Sequence, residues 1–167
     1  MISTERSDKL AHPVLGATAE LGVVVVLLAV ILGVNFAGVF RGWYQTIWWY
    51  DIPMHLAGGA WVALLFFYLI GDRGDIISVD RGVIGNLLII VLVLSFVSFI
   101  GILWELFEYL FDVFIASRHP LFFAQQGLAD TMGDFVNNLL GGSAMAGVHL
   151  FLKRGSGITR GFYRSIH

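Results

Sequence analysis

Residues 83–112 read VIGNLLIIVLVLSFVSFIGILWELFEYLFD, an apolar run that ends in the three acids Glu105, Glu108 and Asp112. About 20 consecutive apolar residues are enough to cross the hydrocarbon core of a bilayer as a helix. Thirty residues make a helix of about 45 Å, and the hydrocarbon core is only about 30 Å thick. We therefore predict one long transmembrane helix that either tilts or projects its acidic end into the interface.

Three further apolar runs extend this pattern to four spans. Hydrophobic residues make up 57% of the 167 residues, charged residues make up 13%, and the mean hydropathy is +0.81. A soluble domain usually carries about 25% charged residues. The other spans are predicted at residues 21–40, 52–70 and 131–152. The sequence thus predicts an all-α integral membrane bundle of four transmembrane helices, with a transmembrane domain over residues 21–152.

The two flanking segments are predicted to lie outside the membrane. Residues 1–20 have mixed charge, and residues 153–167 include a glycine-containing stretch, 155–161, that is expected to form a loose tail. The first span is longer than the roughly 7–15 apolar residues of a signal peptide. We therefore expect it to be retained as an anchor.

The basic residues predict the orientation of the bundle. Of the ten lysines and arginines, only Arg41 and Arg118 fall on the side opposite to the two termini. Basic residues are enriched in cytoplasmic loops, so both termini are expected in the cytoplasm. The protein would then be a multi-pass protein of the inner (cytoplasmic) membrane. The aromatic residues between Trp43 and Tyr50, and the segment 118–120, would lie at the outer interface.

The composition also limits the chemistry. The chain has no cysteine, which excludes disulfides, iron–sulfur clusters and thiolate-bound haem or zinc. The net charge is −2 and the positive charges are scattered, so nothing indicates nucleic-acid binding. Membrane lipids are the expected partners, and the sequence leaves open a homo-oligomer or a larger membrane complex.

Polar residues at three helix ends are predicted to meet in one site. Residues three or four apart share a helix face, and each group follows that spacing. In the predicted topology, all three groups lie at the outer end of the bundle. Ionisable groups at membrane depth are costly and usually functional. The candidate metal ligands are Asp51, His55, Glu105, Glu108, Asp130, Asp134 and Asn138.

A cluster of this kind favours a cation. Its carboxylates face few basic residues and cannot all stay charged at low dielectric, so either some are protonated or a cation compensates them. Carboxylates and amides suit magnesium, calcium or manganese, and an imidazole adds zinc and iron to the candidates. We therefore predict a divalent metal ion as cofactor. Glu105 and Glu108 are the candidate catalytic residues, as general bases beside the metal.

Structural interpretations of the same residues stay open. Asp51 and Asp130 could cap helices, Asp112 could be solvated, and the deeper acids could form a structural polar network. Three functions follow from these alternatives. The first is a metal-dependent protein that binds or acts on a lipid or cell-envelope intermediate, which leaves open a hydrolase or transferase. The second is a cation or proton carrier. The third is an accessory membrane subunit.

Glycine pairs in two spans predict close helix packing. Gly58 and Gly59 lie in the second span, and Gly141 and Gly142 lie in the fourth. The fourth span also contains two small-xxx-small pairs, Gly142 with Ala146 and Ser143 with Gly147, of the type that lets helices approach closely.

The order of three short motifs resembles a known group of proteins. The motifs are D-x-x-x-H, two acids three apart, and D-x-x-x-N-x-x-G, formed by Asp51 and His55, by Glu105 and Glu108, and by Asp134, Asn138 and Gly141. This pattern is similar to that of VanZ-like membrane proteins. The Gln126-Gly127 run before the last acids is similar to that of YjdF-type proteins. The resemblance implies a small polytopic bacterial membrane protein connected with the cell envelope.

The chain departs from the VanZ-like pattern at two basic positions. The lysine that usually follows the first aspartate is Ile52 here, and Gln125 and Gln126 stand where an arginine is common. Both changes make the site more acidic. An anionic substrate would therefore need a metal ion to bind there.

Overall fold

The fold consists of helices and short connections throughout the described residues. The computed structural model describes residues 3–70, 83–116, 123–125 and 127–164, with side chains described from residue 21 to residue 152 within those ranges. The helices are α1 (Ser3–Arg41), α2 (Trp43–Thr46), α3 (Asp51–Ile70), α4 (Val83–Phe114) and α5 (Leu128–Arg164).

Four segments of these helices are long and apolar enough to cross a membrane. They are Leu21–Arg41, Asp51–Ile70, Val83–Phe114 and Leu128–Leu152. The predicted all-α fold with four membrane-spanning helices is therefore confirmed. The cytoplasmic location of the termini stays a prediction, and the segment 118–120 lies outside the described residues.

Two helices continue past the predicted spans. Helix α1 already begins at Ser3, and α5 extends to Arg164, so the expectation of a loose tail at residues 155–161 was wrong. Apolar character marks the part of a helix that can face lipid, but it does not mark where the helix ends. Once a helix has formed, each added residue contributes a backbone hydrogen bond at little further cost, so helices can run on beyond the apolar run.

Helices α3 and α5 make the closest contact in the bundle. A Cβ atom added at Gly59 would overlap the backbone carbonyl of Asn138, and one added at Gly141 would overlap the carbonyl of Leu56. The two backbones therefore touch at glycines, as predicted for Gly59 and Gly141. Gly142 faces Val97 of α4, where an added Cβ would lie 2.9 Å from a methyl group. Among the described residues, nothing lies within 4 Å of a Cβ added at Gly147, so the Ser143–Gly147 pair does not serve this packing.

A small apolar core follows this contact, after Gly59 on α3 and after Gly141 on α5. The buried core residues are Val62, Ala63, Val93, Val97 and Ala146. Many other large apolar side chains point outward; Val30 is 57% exposed and Val136 is 55% exposed. Large exposed apolar surfaces mark membrane or partner contacts. In a four-span bundle this surface is the one that faces lipid.

Helix α1 is attached to α3 through backbone carbonyls. The indole Nε1 of Trp61 donates a hydrogen bond to the Val24 carbonyl at 2.8 Å, and the hydroxyl of Tyr50 donates one to the Val34 carbonyl at 2.8 Å. Tyr50 reaches α1 because Gly38 has no side chain; a Cβ there would lie 2.5 Å from the tyrosine ring. Gly42, with φ of 66°, ends α1. It turns the chain into residues 43–50, which we call the aromatic connection.

The Gly141 contact can be tested by adding one methyl group. Gly141→Ala should destabilise the protein by about 1–3 kcal/mol, because a well-packed contact must open to admit the methyl group. Gly147→Ala is the matched control in the same helix, since nothing lies within 4 Å of its added Cβ. Thermal unfolding in detergent measures both variants. Equal midpoints for the two would show that α3 and α5 are not in backbone contact at Gly141.

Candidate functional site

Three helix ends meet at one end of the bundle, which we call the acidic end. It comprises the first turns of α3, the last turns of α4 and the first turns of α5. These turns carry the acids singled out in the sequence. Each helix presents them on one face because the residues are three or four apart.

Asp51, His55 and Asp134 form the centre of the acidic end. The Nε2 atom of His55 lies 3.1 Å from Oδ1 of Asp51 and 3.6 Å from Oδ1 of Asp134. One potential ligand atom from each of the three side chains lies within 4.8 Å of the others. His55 and Asp134 are buried, while Asp51 is half-buried. We call this group the Asp–His–Asp trio.

Asn138 contacts the other nitrogen of the His55 ring. Its Nδ2 lies 3.3 Å from His55 Nδ1. With this amide orientation, Nδ1 accepts a hydrogen bond, and Nε2 carries the proton that faces Asp51. With the Asn138 amide flipped, its oxygen would accept a hydrogen bond from Nδ1–H, and Nε2 would be unprotonated and free for a metal. Asn138 is therefore placed to orient the imidazole rather than to complete the trio.

Glu105 is buried beside the trio. Its side chain is 7% exposed, and neither carboxylate oxygen has a partner at normal hydrogen-bond geometry among the described residues. The side chains of Gln125 and Thr131 hydrogen-bond to each other, at 3.3 Å, and lie close enough for weak hydrogen bonds to the Glu105 carboxylate. Glu105 lies within electrostatic range of His55 and Asp130. Buried polar atoms are nearly always hydrogen-bonded, and an exception calls for an explanation such as a water molecule or an ion.

Glu108 lies one helical turn further along α4. Its Oε1 accepts a hydrogen bond of 2.7 Å from the Trp104 indole. Both side chains line a cavity of about 140 Å³ that also contacts His55 and Asn138. Glu108 is thus on the cavity side of the acidic end.

The two remaining acids differ in role. Asp112 accepts hydrogen bonds from the backbone N–H groups of Ala124 and Gln125, at 2.9 and 3.0 Å. It therefore anchors the segment that leads into α5, and the alternative that Asp112 is merely solvated was wrong. Asp130 lies half-buried in the first turn of α5, within electrostatic range of Glu105 and Asp134. A carboxylate at this position also interacts favourably with the positive, N-terminal end of the helix dipole.

The sequence did not indicate that Tyr44 and Asn35 line the cavity beside the acidic end. The Tyr44 hydroxyl donates a hydrogen bond to Oδ1 of Asn35. Burial, and then the negative charge of Asp51, raise the pKa of Tyr44 well above its ordinary value, so the hydroxyl keeps its proton. Asn35 interrupts the first apolar span, and that interruption was the available signal.

These features define a multi-pass membrane protein with a buried acidic cluster at one end of its bundle. Residues 8–155 match the family described as "Predicted membrane protein (DUF2238)", and the chain belongs to this family. The resemblance to VanZ-like and YjdF-type proteins stays a prediction. No curated protein and no solved structure matches the chain.

The anchoring role of Asp112 predicts that its removal lowers the stability of the protein. Asp112→Ala removes two hydrogen bonds to a charged acceptor and should cost about 2 kcal/mol or more. Thermal unfolding in detergent gives the loss, and hydrogen exchange at Ala124 and Gln125 should become faster. Asp112→Asn, which keeps one acceptor oxygen, should lie between the alanine variant and the parent. Unchanged exchange at both amides would contradict the assigned role.

Proposed function

We propose that the Asp–His–Asp trio binds a divalent metal ion and that the protein binds or acts on a lipid or cell-envelope intermediate. The observation that carries this proposal is the meeting of Asp51, His55 and Asp134 from two helices, with ligand atoms within 4.8 Å of one another. Two carboxylates and one imidazole, collected in a buried place, form a donor set that metal ions use.

The surroundings of the trio support a cation. Glu105 adds a buried carboxylate without a partner at normal hydrogen-bond geometry in the described part of the chain, and Asp130 adds another acid nearby. Within the described residues, the ion pairs of Asp51 and Asp134 run to His55 and not to a lysine or arginine. Bringing so many carboxylates together out of water is costly unless positive charge compensates them. A metal ion in the trio, with Glu105 turned toward it, would supply that charge.

The donor set narrows the choice of ion. An imidazole beside carboxylates suits zinc, manganese or iron, whereas magnesium and calcium prefer oxygen ligands alone. The first three ions are therefore the leading candidates. His55 would bind through Nε2, and Asn138 would hold the ring through Nδ1, as second partners of metal-bound histidines commonly do.

The position of the site suggests its substrates. A site at the end of membrane-spanning helices meets lipid head groups. With the orientation predicted from the basic residues, these head groups belong to the outer leaflet of the inner membrane. A metal there would activate a water molecule or hold a phosphate. Glu108, on the cavity side and held by Trp104, is the proposed general base, and Glu105 is the alternative.

Bound metal is the test of this proposal. The protein purified in detergent without chelator should contain close to one metal ion per chain by elemental analysis. His55→Ala should lose it, because the trio keeps only two carboxylates. His149→Ala is the matched histidine control; His149 stacks on Phe67, 3.7 Å between ring centroids, outside the acidic end.

Two results would count against the metal. One is a parent protein that retains no metal after incubation with zinc, manganese or iron. The other is a folded His55→Ala variant that still binds one ion. Either would leave the acids as a protonated polar network, which supports an accessory or structural role instead. Size-exclusion chromatography and helix content show whether each variant is folded.

The orienting role of Asn138 gives a graded prediction. Asn138→Ala should weaken metal binding by about 10–100-fold, because outer partners of metal-bound histidines have effects of that size. Full occupancy should still be reached at high metal concentration. Asn137→Ala is the control from the neighbouring position. Titration with a competing chelator measures both affinities, and equal affinities would show that Asn138 does not orient His55.

A further inference from the structure

Two cavities lie side by side in a cleft between α1 and α4. The larger, of about 140 Å³, is lined mainly by α1, α3 and α4, with Tyr44 of α2 and Asn138 of α5. The smaller, of about 80 Å³, is lined by α1, α2, α4 and residues 123–124. They share four lining residues, Asn35, Tyr44, Trp104 and Glu108. Both are partly open. We call the two together the α1–α4 cleft.

The larger cavity of the cleft changes from apolar to polar along its length. Its deep walls are aliphatic and aromatic and include Leu28, Ile31, Val97 and Ile100. These residues belong to segments that can cross a membrane. At the other end, the larger cavity reaches His55, Glu108 and Asn138. A molecule that fills the larger cavity must therefore be apolar at membrane depth and polar at the acidic end.

The size and the location point to a lipid chain. Apolar cavities of about 150 Å³ stay dry and accept ligands of the size of benzene. The larger cavity therefore has room for a short stretch of hydrocarbon. Because the walls lie in membrane-spanning segments, the apolar molecules available to fill it are lipids. The rest of such a chain can follow the exposed apolar surface of α1 or α4.

The charges at the polar end decide which head group fits. The donors of Tyr44 and Trp104 are already used within the chain, because Tyr44 donates to Asn35 and Trp104 donates to Glu108. The carboxylates alone would repel a phosphate, whereas a divalent ion in the trio would attract it.

We propose that the α1–α4 cleft binds a phosphate-bearing lipid, with one chain between α1 and α4 and the phosphate at the acidic end. The chain half of this inference stands on the cavities, and the phosphate half rests on the proposed metal site. The lipid enters the cleft sideways from the membrane. Helix α1 permits that route because, among the described residues, its side-chain hydrogen bonds to the rest of the bundle run to α3 and to the aromatic connection.

Photo-crosslinking tests the cleft directly. The protein is reconstituted in phosphatidylcholine vesicles that contain phosphatidic acid with a photoactivatable acyl chain. Diacylglycerol with the same chain serves as the neutral probe. Peptides of α1 and α4 that line the cleft should be labelled, and excess unlabelled phosphatidic acid should remove that label. Label on exposed positions such as Val136 should persist, since ordinary lipid contacts there do not saturate.

Two neighbouring residues provide the matched variants. Ile31→Trp fills the larger cavity, while Val30→Trp places the same side chain on the exposed face, where Val30 is 57% exposed. We expect cleft labelling to fall at least about fivefold in Ile31→Trp, a loss of roughly 1 kcal/mol in binding. Labelling in Val30→Trp should be unchanged. The mapping of the label in the parent needs no variant and keeps the test valid if Ile31→Trp does not fold.

The outcomes separate this inference from the metal proposal. Saturable label in the cleft, stronger for phosphatidic acid than for diacylglycerol, supports the inference. Label that is spread evenly over exposed faces, or that is unchanged in folded Ile31→Trp, overturns it. Metal is measured in the same samples. Bound metal without cleft labelling overturns the inference that the cleft binds a lipid, and it leaves the proposed metal site standing. Cleft labelling without metal and without phosphate preference overturns the proposed function and the phosphate half of the inference.

Discussion

The backbone contact between α3 and α5 is the constraint on which the rest of the structure depends. Gly59 and Gly141 let the two helices touch at the carbonyls of Asn138 and Leu56. That approach brings Asn138 and Asp134, on one helix, against His55 on the other. With side chains at either glycine, the helices would separate, and a 3.3 Å contact between Asn138 and His55 could not form. Packing at small residues is a common basis of helix association in membranes; here the same contact also assembles a polar site.

The polar residues of the acidic end have distinct positions around one imidazole. Asp51 and Asp134 face Nε2, and Asn138 faces Nδ1. Glu105 adds a buried carboxylate without a partner at normal hydrogen-bond geometry in the described chain. Concentrating negative charge in this way costs free energy, and natural sequences accept such costs mainly where function requires them. A bound cation, as proposed, would convert the same arrangement from repulsive to attractive. The adjoining cleft would then offer an apolar wall for a ligand whose charged part reaches that cation.

The sequence predicted the helices well and the site in part, for identifiable reasons. Long apolar runs and the helical spacing of the acids predicted four spans and a common acidic end. They could not predict which three side chains meet, because that depends on how α3 and α5 are rotated at their glycine contact. The role of Asp112 could not be predicted either, since its partners are backbone N–H groups in an irregular segment twelve and thirteen residues later. Tyr44 and Asn35 meet only because Gly42 folds the end of α1 back.

The central claim is that the Asp–His–Asp trio holds a metal ion through His55. X-ray absorption at the zinc edge of the zinc-loaded protein tests this claim most directly. We predict nitrogen and oxygen ligands at about 2.0–2.2 Å, with the outer-shell scattering of one imidazole that disappears in His55→Ala. A spectrum of zinc surrounded by oxygen alone, identical in the parent and in His55→Ala, would contradict the claim.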